Sequence, residues 1–252
     1  MSKTLIYAHR GANREAAENT AGAFDRALDY AVDGIETDVQ MSRDEVTVLW
    51  HDRYLHKLGW PKKYVDDFDF AQLQEKNFLR HFPGGSQSDR MMSLRDFLAA
   101  YRTRCGLLIE VKNRVREIPA RWQLRMRQTL ELIGDTQQDN ILVSSFHLAG
   151  LVYAHDIAPQ FPLVYNLEPK QDIADVKRVI AQHPFLSGLC LHISTLDEET
   201  VTLLRLRKKA VAVYTCNTEK EIGLALRLGV DILITDLPQQ ALRMRGVRNI
   251  SP

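Results

Sequence analysis

The chain has 252 residues, of which 45% are hydrophobic and 26% are charged, a composition typical of a folded protein with a sizeable core and not of a disordered or fibrous one. Its 33 basic and 32 acidic residues give a formal net charge of +1, so no overall field favours nucleic acid or an anionic membrane as a partner. The N-terminal apolar run is too short for a signal peptide, and no run approaches the roughly 20 apolar residues of a membrane span, so we expect a cytoplasmic protein without integral membrane association.

Short apolar runs rich in β-branched residues alternate along the chain with longer amphipathic ones. Eight of the short runs are typical of buried strands: residues 5–9, 34–39, 107–111, 140–145, 161–165, 186–191, 210–214 and 231–235. The first amphipathic run places Phe24, Ala27 and Leu28 at helical spacing, with Asn19 or Thr20 as the N-cap. Further helical patterns occupy residues 93–103, 116–133, 147–156, 171–182, 197–208, 218–228 and 237–245.

Eight strand-then-helix units predict a (β/α)8 TIM barrel formed by a single domain over residues 1–252. A doubly wound sheet is disfavoured, because "HRGANREAAEN" after the first strand is not a G-x-G-x-x-G phosphate loop. Residues from about 52 to 92 interrupt the rhythm with Pro, Gly-Gly and aromatic residues but no long periodic segment. We interpret them as a small inserted cap after the second strand, preceded by an extra strand at 46–50.

Catalytic groups of such a barrel are expected where the strands end and the following loops begin. The charged and titratable residues at those ends are His9, Arg10, Glu36, Asp38, His51, Asp52, Glu110 and Lys112. Side chains two apart on a strand share a face, so Glu36 lies on the same side as Asp38, and Glu110 on the same side as Lys112. We therefore expect these charges to converge at one mouth of the barrel.

The carboxylates of this cluster point to a divalent cation. Charged groups inside strands are costly unless they are paired, and Glu36, Asp38 and Glu110 supply the oxygen ligands that Mg²⁺ or Ca²⁺ prefers. The cysteines of the chain have neither CxxC nor Cys/His spacing, which argues against a zinc site and a disulfide framework. The alternative to a metal site is a buried salt-bridge network of Glu36 and Asp38 with Arg10 and Lys112.

Charge and proton transfer together suggest the substrate. A divalent cation among three carboxylates leaves one negative charge, and Arg10 and Lys112 turn this into one positive charge, which a singly charged phosphodiester or a carboxylate would neutralise. His9 and His51 favour the phosphodiester, because an imidazole with its ordinary pKa of about 6.5 can accept a proton from a nucleophile or supply one to a departing alkoxide. The Arg10 guanidinium suits phosphate oxygens, and Gly11 lets the backbone turn tightly or approach a ligand closely.

Several segments taken together resemble the glycerophosphodiester phosphodiesterase family. They are "HRG" followed by "ENT", then "GIETDVQMSRDEVTVLWHD", "LLIEVK", "VSSF" and "GVDILITDLP", and they match in order and spacing from Leu5 to about Pro238. The resemblance implies a (β/α)8 barrel with a small insertion after the second strand. It also implies a bound divalent metal and the cleavage of glycerophosphodiesters to sn-glycerol 3-phosphate and an alcohol.

The resemblance also assigns roles to individual residues. It places the acid/base pair on His9 and His51, the metal ligands on Glu36, Asp38 and Glu110, the phosphate contacts on Arg10 and Lys112, a supporting residue for Arg10 or His9 on Glu18, and a substrate-facing wall on Tyr214. Tyr214 stands where the family usually has Trp, which makes that wall smaller and more polar. The segment Leu55–Gly59 departs from the Leu-x-Arg-Thr-Thr that commonly follows His-Asp, which leaves the contribution of the cap to substrate recognition open.

The sequence leaves several alternatives open. Asp52 is either a metal ligand or a partner of His51, and Glu168 is a candidate for the site lining. The basic segment Arg114–Arg127 is a solvated helix face or, less favoured, a nucleic-acid patch. The remaining histidines are expected on the surface or in packing: His56, His81, His147, His155, His183 and His192.

The sequence also leaves two alternative functions open. A lysophospholipid or phosphoinositide could be the substrate of the same metal site, since Trp60, Tyr64, Phe68 and Phe70 of the cap could form an apolar rim. A non-catalytic binder would usually have lost a histidine or a carboxylate, and here all five core positions are filled. The nucleophile, water or the glycerol 2-hydroxyl, and the oligomeric state are left open, a homo-oligomer included.

Overall fold

The structure of the chain is a computed structural model that describes residues 3–76, 78, 89–134 and 140–248. Its strands are β1 (Leu5–His9), β2 (Gly34–Met41), β3 (Thr47–Leu49), β4 (Gly106–Val111), β5 (Ile141–Ser145), β6 (Leu163–Asn166), β7 (Gly188–His192), β8 (Ala210–Tyr214) and β9 (Ile232–Thr235). Its helices are α1 (Ala21–Asp29), α2 (Phe70–Gln74), α3 (Leu94–Tyr101), α4 (Pro119–Ile133), α5 (Leu148–Ile157), α6 (Ile173–Gln182), α7 (Glu198–Leu206), α8 (Glu219–Leu228) and α9 (Pro238–Arg248).

The parallel strands close into a barrel. Their order is β1-β9-β8-β7-β6-β5-β4-β2, and β1 pairs with both β9 and β2, while β3 adds to β2 in the antiparallel direction. The predicted (β/α)8 barrel is therefore confirmed. Within the residues that the structure describes, no helix has both the length and the apolar character needed to cross a membrane.

Capping residues and buried loop residues set the ends of these elements. Thr20 is the N-cap of α1, and its side chain accepts a hydrogen bond from the Ala23 amide, as the predicted capping signal requires. The apolar runs predicted at 161–165 and 186–191 begin before β6 and β7. The reason is that Phe161 and Leu186 are buried loop residues, 6% and 1% exposed.

Alternate residues of the barrel strands face different layers. Ile6 and Ala8 of β1 pack outward in the main core between sheet and helices, whereas Tyr7 belongs to the cluster inside the barrel. That interior cluster consists of Tyr7, Leu108, Val164, Cys190, Ala212, Ile232 and Ile234. Its apolar side chains fill the barrel below the strand ends, so polar groups of the same inward register gather at the carboxyl end.

The segment between β3 and α3 has a small core of its own. Its buried apolar side chains include Trp50, Leu55, Leu58, Val65, Leu73 and Phe78. The extra strand predicted at 46–50 is β3. The helices in the described part of the segment are short, and α2 has 5 residues. Residues 77 and 79–88 of the predicted cap, with His81, lie outside the described residues. The single domain over 1–252 with a cap at 52–92 stays a prediction.

Candidate active site

Strand register brings the predicted acidic residues together. His9 lies opposite Glu36 in the pairing of β1 with β2, and Asp38 lies opposite Glu110 in the pairing of β2 with β4. Glu36, Asp38 and Glu110 are 4%, 1% and 8% exposed. One carboxylate oxygen from each lies within 4.8 Å of the other two. The three predicted metal ligands therefore form one buried cluster at the carboxyl end of the barrel.

Two cations neutralise part of this cluster. The Lys112 ammonium lies 2.8 Å from an oxygen of Asp38 and 2.5 Å from one of Glu110, and the Arg10 Nε lies 3.1 Å from Asp38. Of the salt-bridge network considered from the sequence for Glu36 and Asp38, the part around Asp38 is present, and Lys112 extends it to Glu110. Both predicted phosphate-binding cations contact carboxylates in this structure.

Glu36 differs from its two neighbours. In the part of the chain that the structure describes, no lysine or arginine side-chain nitrogen lies within 4.0 Å of its carboxylate, which accepts a hydrogen bond from the Arg10 backbone at 3.3 Å. Burial and the charges of Asp38 and Glu110 raise the pKa of Glu36 well above its ordinary value. A cation among the three carboxylates would favour the charged form of Glu36.

The His9 imidazole is held by a carboxylate from the last strand end. Its Nδ1 lies 2.6 Å from Oδ1 of Asp236. The same oxygen accepts a hydrogen bond from Asn13 at 2.7 Å, and the other carboxylate oxygen of Asp236 accepts one from Asn217 at 2.8 Å. An ionised carboxylate can only accept, so Nδ1 carries the proton and Nε2, 3.9 Å from Glu36, is left free. Burial and the charge of Arg10 lower the pKa of His9, against the opposing effect of Asp236.

His51 is held in the same manner by its neighbour. Its Nδ1 lies 2.8 Å from Oδ1 of Asp52, and Lys57 lies 2.9 Å from the other oxygen of that carboxylate. Burial would raise the pKa of Asp52, but hydrogen bonds from His51 and Lys57 lower it well below its usual range. Gln40 donates to the backbone oxygens of Trp50 at 3.0 Å and Asp52 at 2.8 Å. Of the two roles open for Asp52, the geometry favours that of partner to His51.

Glu18 links the two histidine loops. Its carboxylate accepts from Arg10 at 3.3 Å and from Lys57 at 2.7 Å, so of its two expected partners it contacts Arg10. Lys57 takes the position at which the family commonly has Arg, and it bridges Glu18 to Asp52. This departure from the family pattern therefore keeps a cation between the loops after β1 and β3.

The turn after His9 depends on glycine. Gly11 has a φ of 81°, and a Cβ at this position would lie 2.6 Å from the backbone of Ala23 in α1. Gly11 therefore provides the tight turn, and its close approach is to helix α1. Arg10 and Asn19 each have a φ of 57°, and the Asn19 side chain donates to Asp38 at 3.0 Å. Residues with such backbone conformations cluster at functional sites.

A cavity of about 150 Å³ opens between these groups. Its lining includes His9, Arg10, Glu36, His51, Glu110, Lys112 and Tyr214. The Tyr214 hydroxyl donates to the Leu167 carbonyl at 2.6 Å, and its ring lies edge-on to Phe146, with 5.6 Å between centroids. Cys190 also lines the cavity, but burial raises the pKa of its thiol well above the ordinary value, so the neutral sulfur is a poor metal ligand.

Comparison with known proteins identifies the family. The glycerophosphoryl diester phosphodiesterase family model matches residues 9–240. The chain belongs to this family. The resemblance inferred from the sequence motifs is thereby confirmed, together with the expectation that the chain is an enzyme of the phosphoric diester hydrolase class.

Relatives of the family are similar to the chain over nearly its whole length. A glycerophosphodiester phosphodiesterase from Bacillus altitudinis is 30% identical over 248 residues, which are 96% of this chain and 98% of that protein. The fold is similar to that of an Oleispira antarctica phosphodiesterase solved in complex with the product sn-glycerol-3-phosphate, with a TM-score of 0.82, 23% identity and 96% coverage of both chains. A glycerophosphodiester phosphodiesterase from Thermotoga maritima has a TM-score of 0.76, at 21% identity and coverages of 97% and 99%.

Other predicted residues lie away from the cavity. Glu168 is exposed and is absent from the cavity lining. Five of the remaining histidines lie in packing or at the surface: His56, His147, His155, His183 and His192. Arg125 was expected on a solvated face, but it is 4% exposed and its guanidinium donates to both oxygens of Glu117, at 3.0 and 2.7 Å. Its burial is possible because that carboxylate compensates its charge.

Sequence reasoning missed Asp236 as a site residue of this family member, although it lies in the motif "GVDILITDLP". Alternation along β9 would have shown it, because Ile232 and Ile234 face the interior and Asp236 continues that register. Barrel closure then sets this end beside β1, where Ala8 pairs with Thr235. Asn217 was missed for a different reason: its amide contacts Asp236 through loop geometry, which the sequence pattern does not report.

Proposed function

We propose that this chain hydrolyses glycerophosphodiesters to sn-glycerol 3-phosphate and an alcohol, with His9 and His51 as the acid/base pair. One observation carries the proposal: both imidazoles line the 150 Å³ cavity together with Glu36 and Glu110, and each has its Nδ1 held by a carboxylate. Family membership supports the substrate class. The product sn-glycerol-3-phosphate in the Oleispira antarctica phosphodiesterase supports the proposed product.

The donor set at the acidic cluster fits a divalent cation, Mg²⁺ or Ca²⁺. Its oxygens come from Glu36, Asp38 and Glu110, all within 4.8 Å of one another, and hard cations prefer such ligands. Glu36 lacks a side-chain cation of its own among the described residues. A bound cation would supply Lewis-acid stabilisation of the charge on the phosphoryl oxygens.

The residues of the chain itself perform the remaining steps. One imidazole accepts the proton of the nucleophile and the other donates a proton to the departing alkoxide, each through the Nε2 that its carboxylate partner leaves free. Arg10 and Lys112 border the cavity and supply positive charge toward the phosphate oxygens. Asp236 and Asp52 stabilise the charged imidazoles because each accepts a hydrogen bond from the Nδ1–H of its histidine.

The nucleophile is water or the 2-hydroxyl of the glycerol moiety, and the second route passes through a cyclic phosphate. ³¹P NMR of a reaction mixture distinguishes the two, because a cyclic glycerophosphate has its own resonance. The same spectra report the appearance of sn-glycerol 3-phosphate from glycerophosphocholine. Appearance of glycerol and phosphocholine would contradict the proposed bond cleavage.

Substitution of the histidines tests the proposed roles. A general acid or base typically contributes about 10²- to 10⁴-fold to the rate, so His9→Ala and His51→Ala are each expected to lose activity on that scale with the fold intact. Far-ultraviolet circular dichroism checks the fold, and His155→Ala, on a ring that stacks on Phe185, is the matched control. Wild-type turnover of glycerophosphocholine by both active-site variants would contradict the proposal.

The lipid alternative receives less support from the cap. Trp60 and Phe68 stack on each other with 4.1 Å between ring centroids, and with Phe70 they pack against the cap core. Lysophosphatidylcholine is therefore expected to be a poorer substrate than glycerophosphocholine, and a direct comparison of the two tests this. The His9 and His51 variants also test the alternative of a non-catalytic binder. The cytoplasmic location and the homo-oligomer stay predictions.

A further inference from the structure

A second cavity, of about 160 Å³, adjoins the candidate active site. His51 and Lys112 line both cavities. The rest of the second lining comes from β2, the loop after β3 and the loop and helix after β4, and consists of Gln40, Arg53, Asn113, Arg114, Val115 and Arg125. A diester whose phosphate lies beside Lys112 and His51 can therefore extend one of its two arms into each cavity.

The second cavity has an excess of positive charge. Among the residues that the structure describes, its lining contains Arg53, Lys112, Arg114 and Arg125 but no aspartate or glutamate. Three of these cations are paired with carboxylates that lie outside the lining of this cavity. Lys112 contacts Asp38 and Glu110, Arg114 donates to both oxygens of Asp66 at 2.9 and 2.5 Å, and Arg125 is paired with Glu117.

Arg53 has no such partner. Within residues 3–76, 78, 89–134 and 140–248, no carboxylate lies within 4.0 Å of its guanidinium. Its Cζ lies 5.2 Å from the ring centroid of Tyr54 and 5.9 Å from that of Tyr64. Arg114 lies over the same Tyr64 ring, at 4.6 Å. Cation–π contacts position a guanidinium without neutralising its charge, so Arg53 keeps its positive charge at the rim.

The two cavities suit different arms of the substrate. The first is closed at its floor by buried residues, Leu108 and Ile234, 1% and 2% exposed. The polar side chains of Ser144 and Asn166 also line it, which suits the compact, hydroxyl-bearing glycerol moiety. The second is bordered by exposed residues, since Val115 is 78% exposed and Arg53 also lies at the surface. A head group of variable size fits there.

We infer that the cavity lined by Arg53 and Arg114 binds the leaving alcohol and selects head groups that carry an additional negative charge, such as a phosphate monoester. This inference rests on the proposed function and adds the preferred class of substrate to it. The same positive charge would repel a quaternary ammonium head group, such as that of glycerophosphocholine.

The test compares two substrates that differ by one phosphate, glycerophosphoinositol 4-phosphate and glycerophosphoinositol. The wild-type ratio of their kcat/KM values is expected to favour the phosphorylated substrate by about fivefold, the scale of one partly exposed charge pair. Arg53→Glu is expected to abolish or invert this preference, whereas Arg53→Lys retains it. Arg178→Glu, an equal charge change on the exposed face of α6, is the control and is expected to leave the ratio unchanged.

The outcomes separate the inference from the proposed function. Equal kcat/KM values for the two substrates in the wild type, or a ratio that Arg53→Glu and Arg178→Glu change equally, would overturn the inference. Failure to hydrolyse any of the diesters would overturn the proposed function instead. In that case calorimetric titration of wild type and Arg53→Glu with both compounds still tests the cavity, and equal affinities throughout would overturn the inference.

Discussion

The Nδ1 of His9 and Oδ1 of Asp236 lie 2.6 Å apart, although 227 positions separate the two residues along the chain. Closure of the barrel between β1 and β9 makes this contact. Burial would raise the pKa of Asp236, but hydrogen bonds from His9 and Asn13 and the charges of His9 and Arg14 lower it well below its usual range. Asp236 therefore remains charged at neutral pH and determines the orientation of the His9 ring.

Asp236→Asn is expected to lower kcat/KM by about 10²- to 10⁴-fold, since an orienting carboxylate holds both the ring and its tautomer. It also removes the interaction that opposes the lowering of the His9 pKa. The limb of the pH–rate profile that reports His9 is therefore expected to move to lower pH. Asn13→Ala removes a different hydrogen bond to Asp236; it is the control and should leave that limb in place. A pH–rate profile of Asp236→Asn that matches the wild-type profile would contradict the positioning role of Asp236.

Lys57→Met is expected to lower activity, because it leaves Glu18 and Asp52 without the ammonium that lies 2.7 and 2.9 Å from them. Loss of this bridge frees the carboxylate that holds His51, so we expect kcat to fall more than KM rises. Lys57→Arg should restore much of the activity, since the cation is kept. Lys62→Met, at an exposed position of the same segment, is the control. Equal kcat values for the Met and Arg variants at position 57 would argue against the bridge.

The Glu117–Arg125 pair predicts an acid-dependent loss of stability. Burial would raise the pKa of Glu117, but the hydrogen bonds and charge of Arg125 outweigh it and lower that pKa. The stabilisation is therefore fully present above the unfolded-state pKa of about 4.3 and is lost as the pH falls through the lower folded-state value. Glu117→Gln is expected to cost about 3–5 kcal/mol at pH 7, because it leaves Arg125 buried and unpaired.

Urea unfolding from pH 7 down to pH 3 checks this prediction. The difference in the free energy of unfolding between wild type and Glu117→Gln should shrink as the pH falls. The control is Glu131→Gln, at an exposed pair with Arg127 whose charges lie 3.8 Å apart, with an expected effect below about 0.5 kcal/mol. A pH-independent difference for Glu117→Gln would show that the carboxylate charge does not contribute.

Gly11→Ala is expected to destabilise the turn after His9. The new Cβ would meet the Ala23 backbone at 2.6 Å, and the φ of 81° is strained for alanine. We expect a loss of about 1–3 kcal/mol in the free energy of unfolding together with lower activity, because the turn carries Arg10. Gly223→Ala, where the nearest atom to a Cβ is a side-chain carbon at 3.8 Å, is the control. Equal stability of the two variants would contradict the steric argument.

Local rules were sufficient for the acidic cluster. Residues two apart on a strand share a face, so Glu36 and Asp38 could be placed on one side, and the barrel prediction placed Glu110 at the same mouth. The ion pairs of Arg10 and Lys112 with these carboxylates were foreseen only as an alternative, because charge accounting does not show which side-chain atoms meet.

Contacts that need tertiary geometry were beyond the sequence pattern. Asp236 reaches His9 only because the last strand closes on the first, and Lys57 reaches Glu18 across two loops. Arg125 was misplaced for a related reason: its position in a basic segment suggested a solvated face, while its burial depends on Glu117, which lies outside α4. Each of these depends on the path of a loop or on strand closure.

The most direct test of the central claim is hydrolysis of glycerophosphocholine before and after removal of divalent cations. Wild-type chain treated with EDTA is expected to release no sn-glycerol 3-phosphate, and returning Mg²⁺ or Ca²⁺ in excess is expected to restore release, while Glu110→Gln stays inactive at the same metal concentration. Full turnover by the EDTA-treated chain, or by Glu110→Gln, would contradict a cation held by Glu36, Asp38 and Glu110.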